Sequence, residues 1–228
     1  METREYRKTG TWHLDHHQSC QDQILFAENN YMAAAVIADG VSACTHSDKG
    51  AEITCQAVID FLMNVNVFQQ EYCEEKLGYL LNEYIMYCLE KKASEEQACI
   101  DEYASTVSLI YLDKERKKAA ALKLGDSPLY RLNGNRFEKA VHDYCRYVQP
   151  YLTTDTDAWK HMNIRYFDYE PADSFFLCTD GFSDSTKNIG LKKTRTLIQT
   201  GDFERLNDLL DQEDNRDDLS YIVISDVA

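Results

Sequence analysis

The 228-residue chain has only 3 prolines and 9 glycines. It has no proline- or serine-rich stretch and no repeat, so nothing marks a linker between domains. Single domains run to about 250 residues before they split, and 1–228 reads as one. Long hydrophobic runs are also missing. The longest conspicuous one, Met32–Ala38, falls far short of the roughly 20 residues needed to cross a bilayer. The segment METREYRKTG carries charge without an apolar stretch, which predicts no secretory signal. Positive charge is scarce: 24 Lys and Arg stand against 39 Asp and Glu, a net charge of −15. Such a surface repels nucleic-acid phosphates and excludes a nucleic-acid-binding domain. Among the 8 cysteines there is no C-x-x-C pair, so neither a zinc ribbon nor a thioredoxin-like motif is supported. Buried free thiols are the expected state. Together these absences predict a soluble, cytoplasmic, monomeric protein without a nucleic-acid or membrane partner.

Apolar residues are not scarce. Hydrophobic residues make up 44% and aromatic residues 11%, enough for a sizeable core. Residues 23–27 and 31–38 read as strands, the second buried on both faces and ending at Asp39-Gly40. Ser47 or Asp48 can cap a helix running to about Leu62. In a longer helix over about 70–92, Cys73, Leu77, Leu80, Leu81, Tyr84, Ile85 and Cys88 draw one buried stripe. Strands follow at 106–112 and 119–124. Another pair flanks Asn133-Gly-Asn, a hairpin signal. Residues 140–162 are less regular. Strands are expected at 164–167, 174–179 and 219–227, and helices at 191–199 and 203–210. Strands gathered in runs argue for an α+β fold: a four-layer αββα sandwich of two antiparallel sheets flanked by helix pairs.

Three of these strands end in an aspartate at a turn: Asp39, Asp126 and Asp180. A fourth aspartate, Asp217, lies just before the final strand. Singly, each is an ordinary turn or cap residue. Together, several strands can deliver carboxylates rigidly to one point, where they repel one another unless cations occupy the site. Oxygen ligands of this kind suit Mg²⁺ or Mn²⁺. Two such ions can activate a water and clamp a phosphoryl group.

The motifs, in order, are Cys20-Gln21-Asp22, Ala38-Asp39-Gly40, Leu124-Gly125-Asp126-Ser127, Leu177-Cys-Thr-Asp180-Gly-Phe-Ser-Asp184 and Asp217-Asp218-Leu-Ser-Tyr-Ile-Val. This series resembles the type 2C, metal-dependent family of Ser/Thr protein phosphatases, in particular a bacterial subgroup. The resemblance spans about residue 10 to the C-terminus, and the fold it implies is the αββα sandwich. It implies that Asp39 bridges two metals, Mn²⁺ or Mg²⁺, and that the Gly40 carbonyl completes the second metal's shell. Asp180 and Asp217 would hold the first metal, Asp22 would orient metal waters, and Asp126 would belong to a third, weaker site. Water would attack phosphorus in line. The implied partner is a phosphorylated protein, with a Ser/Thr kinase system supplying it.

This chain departs from the family pattern at several positions. Gln21 stands where many members have Glu, Val41 where many animal members have a proposed acid His, His17 where some have a phosphate-gripping Arg, and Asp218 where Asn is usual. His13 and His17 are the candidates for phosphate contact. His16 and His17, if on a strand, would point to opposite faces. The 140–162 segment falls where the family has a variable flap. Its Tyr144, Tyr147, Tyr151 and Trp159 are unusually aromatic for a loop, and either pack that loop or contact a phosphopeptide or partner. The leading reading is a phosphoserine/phosphothreonine phosphatase. The alternatives are a pseudophosphatase that binds phosphoprotein without turnover and a hydrolase of small phosphorylated metabolites.

Overall fold

A computed structural model of the chain describes residues 1–68, 72–134, 136–142 and 152–225. In chain order the strands and helices begin with β1 (Glu2–Lys8), α1 (Thr11–Asp15), β2 (Asp22–Glu28), β3 (Met32–Asp39), α2 (Ser47–Asn64) and α3 (Glu74–Glu96). They continue with β4 (Val107–Asp113), β5 (Lys118–Leu124), β6 (Leu129–Asn133), β7 (Arg136–Lys139), β8 (Asn163–Asp168) and β9 (Ser174–Cys178). The last are α4 (Asp180–Ile189), α5 (Leu191–Thr200), α6 (Phe203–Gln212) and β10 (Leu219–Ser225). One five-stranded sheet runs β1-β10-β9-β6-β7 and the other β2-β3-β4-β5-β8. Every named pairing is antiparallel.

Strand β3 shows how the layers form. Its side chains alternate across the sheet. Ala34, Val36 and Ala38 face the α2–α3 layer together with Val58, Leu62, Leu81 and Ile85. Ala33, Ala35 and Ile37 face the second sheet and share a core with Phe175, Leu177, Ile222 and Ile224. All six β3 residues are 0% exposed, so the strand is apolar throughout. The run of alanines leaves room for aromatic rings on the opposing sheet. A third core covers the outer face of the other sheet, where Phe182, Leu197, Leu206 and Leu210 pack on Phe176, Tyr221 and Val223. The architecture is therefore the expected four-layer αββα sandwich, with one difference. The β9–β10 side carries three helices, α4, α5 and α6, rather than a pair. In α4 only Phe182 is a large buried apolar residue, beside Gly181, Ser185 and Thr186, so few apolar positions mark it in the sequence.

Local details also differ from expectation. Helix α2 begins at Ser47, and its N-cap position is His46, without a side-chain capping bond. Ser47 Oγ donates to the Cys44 carbonyl at 3.2 Å, and Asp48 accepts from Ser19 Oγ at 2.8 Å. Neither therefore caps the helix as expected. Tyr144, Tyr147 and Tyr151 lie outside the described residues. Trp159 does not project as part of a flap: it meets Tyr79 of α3 edge to face, centroids 5.6 Å apart, while Ala158 and Met162 join the α2–α3 core. Cys55 and Cys178 are buried free thiols, whereas Cys73 and Cys99 are exposed and Cys20, Cys44 and Cys88 half-buried. Among the described residues no helix is long and apolar enough to cross a membrane.

The small residues of β3 set the spacing between the sheets. Ala35→Leu is expected to overpack that layer and cost about 1–3 kcal/mol, read as a lower urea midpoint with an unchanged m-value.

Candidate active site

The site begins where the two sheets meet. Asp22 opens β2 directly opposite Asp39, the last residue of β3. The Asp22 side chain is only 2% exposed, and its Oδ2 accepts a hydrogen bond from Thr179 Oγ at 3.0 Å. Thr179 follows β9, in the other sheet, and its hydroxyl accepts the Ser220 amide of β10 at 3.0 Å. One hydroxyl can donate once and accept twice, so Thr179 ties β2 to both β9 and β10.

Asp39 is fixed from its other side. Its amide donates to Thr106 Oγ at 3.3 Å, and its carbonyl accepts from the Thr106 amide at 2.8 Å. Thr106 Oγ lies 3.0 Å from Ser127 Oγ, and Ser108 Oγ donates to the Ser127 carbonyl at 2.8 Å. This hydroxyl chain binds the end of β3 to the β5–β6 turn that carries Asp126. Gly125 in that turn has φ +92°, and a Cβ there would lie 2.5 Å from the Thr106 side chain. Both the backbone angle and the close packing require glycine. Asp126 itself is exposed. Gly40, after Asp39, donates its amide to the Gln21 carbonyl at 3.1 Å and bridges to Ser105.

Asp180 is the first residue of α4, where the helix dipole favours an anion. Its charge lies close enough to that of Asp39 to act on it. The Gly181 Cα packs so closely on the loop before β10 that a Cβ would fall 1.9 Å from the Asp218 carbonyl oxygen. Asn215 Nδ2 donates to the Asp217 carbonyl at 2.9 Å and to the Gly181 carbonyl at 3.3 Å. Asp180 and Asp217 are thereby held side by side.

Crowding leaves these carboxylates hard to ionise. Burial, then the Asp218 and Asp217 charges, push Asp22 up to about 8. Burial and the charges of Asp22, Asp180 and Asp217 hold Asp39 well above the usual carboxylate range. Asp180 is raised by burial and by Asp126 and Asp217, and Asp217 by burial and by Asp218, with His13 opposing. A cluster of this kind binds protons or cations strongly, because either relieves the repulsion.

The residues fit a hard divalent cation in chemistry. Oxygen donors dominate, and two of them, Asp22 Oδ1 and Gln21 Oε1, are buried without a hydrogen-bond partner. Among the described residues no three His, Cys, Asp or Glu side chains already stand as a ligating cluster.

The structure therefore gathers Asp22, Asp39, Gly40, Asp180 and Asp217 and leaves Asp126 exposed at the rim. The histidines separate. His13 is 2% exposed, its Nδ1 3.0 Å from Asp218 Oδ1. His17 is exposed with φ +56°. His16 and His17 follow helix α1 rather than lying on a strand, and His16 stacks on Trp12 with centroids 4.3 Å apart. Five supporting residues carried no role in the sequence reading: Thr179, Asp218, Thr106, Ser127 and Asn215. Thr179, Asp218 and Ser127 sit inside the aspartate motifs and were visible there. Thr106 and Asn215 left no pattern to find.

Solved structures share this architecture. Serine/threonine phosphatase Stp1 from Staphylococcus aureus superposes with a TM-score of 0.73 at 16% identity, covering 100% of this chain and 96% of that one. PppA, a regulatory component of the type VI secretion system in Pseudomonas aeruginosa, gives 0.66 at 19% identity, covering 97% and 96%. RsbX, solved with magnesium, gives 0.65 at 13%, covering 97% and 92%. At these identities the likeness is one of fold. No curated protein matches the sequence. The family model for protein phosphatase 2C matches residues 9–221, from the turn before α1 into β10, and the chain belongs to that family.

Proposed function

We propose that the protein hydrolyses phosphoserine and phosphothreonine in proteins with the aid of divalent cations. The observation that carries this reading is the desolvated aspartate set delivered to one end of the sandwich by β2, β3, α4 and the loop before β10. Asp39, the Gly40 carbonyl, Asp180 and Asp217 would hold two Mn²⁺ or Mg²⁺ ions, with Asp126 serving a third at the rim. Such ions, when bound, supply positive charge to the phosphoryl oxygens and an activated water for in-line attack.

The chain's own groups do the rest. Asp22 keeps Oδ2 on Thr179 and leaves Oδ1 free to accept a hydrogen bond from the attacking water and orient it. Asp39, fixed through Thr106 and Ser127, sets the position from which attack occurs. Val41 has no proton to give, so solvent supplies the leaving group's proton. His17, exposed at the end of α1, is the candidate contact for the substrate phosphate. His13 is too buried for that contact. The family and the Ser/Thr phosphatase neighbour support a phosphoprotein substrate made by a Ser/Thr kinase system. A monomeric cytoplasmic enzyme agrees with this assignment. A second reading, a pseudophosphatase that binds phosphoprotein without turnover, is favoured by the neutral Gln21 among the carboxylates. Two Mn²⁺ ions bound tightly in calorimetry would count against it.

Two outcomes follow from the carboxylates. Asp22, Asp39, Asp180 and Asp217 all have pKa values raised by folding, so they favour the native state most at low pH and lose that contribution as pH rises. The EDTA-treated protein is expected to fall in Tm between about pH 4 and pH 8, the upper bound set by Asp22 at about 8. Saturating Mn²⁺ should raise Tm by an amount that grows with pH; a gain independent of pH would contradict the linkage. In an Mn²⁺-dependent assay on a phosphopeptide, Asp39→Asn is expected to lower turnover more than about 100-fold while raising the Tm of the metal-free protein. Activity that survives both EDTA and this substitution would overturn the assignment.

A further inference from the structure

Asp218 is 3% exposed and sits beside a proposed ligand, yet none of the steps above uses its carboxylate. Two backbone N–H groups and the His13 ring, from separate segments, converge on it. The Gly10 amide donates to Oδ1 at 2.7 Å and the Gln21 amide to Oδ2 at 2.5 Å. His13 Nδ1 lies 3.0 Å from Oδ1, oblique to the line of an ideal hydrogen bond. Asp218's own amide donates to Asp217 Oδ1 at 2.9 Å. The same residue therefore holds the Asp217 carboxylate by its backbone and the Gln21-Asp22 step by its side chain.

The α1 segment is tied to the same loop. The Thr11 amide donates to the Asn215 carbonyl at 2.9 Å and the Trp12 amide to the Arg216 carbonyl at 3.1 Å. His13, one residue further along, is 2% exposed and buried against Asp218. Only a carboxylate meets this donor set. An asparagine offers one acceptor oxygen and an NH₂ that would face an N–H. A buried carboxylate without a cationic or donor partner would in turn be costly, and His13 supplies that partner.

We infer that His13 and Asp218 form a buried positioning pair that fixes Asp217 and Asp22 relative to each other and so sets the affinity of the site for its cations. The inference rests on the phosphatase reading for its consequence, but its geometry does not depend on it. Removing a group that orients metal ligands lowers metal affinity by roughly 10- to 100-fold. The pair should also behave as a unit, so that its two changes are not additive.

The test compares Asp218→Asn, His13→Leu, His13→Gln and the Asp218→Asn/His13→Leu double variant with the parent protein. Mn²⁺ binding is read by calorimetry, Tm in EDTA checks the fold, and kcat and KM are taken on a phosphopeptide. Imidazole ¹⁵N NMR of the metal-free parent reports the His13 proton on Nδ1, independently of any activity. The expected result is a folded Asp218→Asn protein with Mn²⁺ affinity down roughly 10- to 100-fold and KM changed much less. His13→Leu should show a similar loss, the double variant little more than either single one, and His13→Gln, which keeps a donor toward Asp218, partial recovery. If Asp218→Asn does not fold, the His13→Leu and His13→Gln comparison decides. Parent-like Mn²⁺ affinity in His13→Leu, or additive losses in the double variant, would overturn the inference. An Nδ1 proton in a parent protein that binds no Mn²⁺ would leave the pair standing as a structural contact and refute its link to metal, together with the phosphatase reading.

Discussion

Everything at the site depends on placing a carboxylate in the seam between two sheets. Asp22 belongs to the β2–β3 sheet, yet its Oδ2 is satisfied by Thr179 of the β9–β10 sheet. An ionised group in such a position is costly unless it is hydrogen-bonded. Here the donor comes from the opposite layer, so the contact that solvates Asp22 also registers the sheets. The neighbouring aspartates inherit their positions from that registration. Asp39 faces Asp22 across a strand pair, and Asp180 follows Thr179 directly.

The supporting groups are small hydroxyls, amides and glycines rather than large side chains. Thr106, Ser127 and Thr179 transmit position through bonds of 3.0–3.3 Å. Gly181 lets α4 start against the backbone of Asp218. The site is thus rigid where charge is concentrated, as preorganised electrostatics requires. The acidic excess elsewhere lies largely on the surface, and a negatively charged ligand must be drawn by the site itself.

Much of this was legible in the sequence because two signals are physically strong. Strand β3 is apolar on both faces, and that alone marks a strand between two layers. The ordered aspartates at strand ends mark the seam where the carboxylates meet. What escaped reading has equally physical causes. Strand β1 is charged because it is an edge strand with alternating exposure, and its order comes from pairing with β10 rather than from its own pattern. Helix α4 hides behind Asp180-Gly181, which looks like a turn until Gly181 is seen packed on Asp218. His13 and His16 look alike in the sequence. One is buried against Asp218 and the other stacks on Trp12, and only the path of α1 separates them. A short helix held by backbone carbonyls from residues 215 and 216 has no local signature.

Strand β10 lies between β1 and β9, and the bond from Gly10 to Asp218 spans 208 residues of chain. This sets an order of events during synthesis. While the ribosome is still producing the middle of the chain, β2, β3, α2, α3, β4 and β5 already have one another as neighbours. The other sheet has only its β6–β7 hairpin and β9; β1 is an unpaired ribbon, and the amides of Gly10 and Gln21 have no acceptor. Contacts of such sequence separation form late because loop closure must precede them. The nascent protein therefore carries half a sandwich and no assembled aspartate set until β10 arrives. Any ligand that needs Asp217 beside Asp22 would find them together only after β10 has paired.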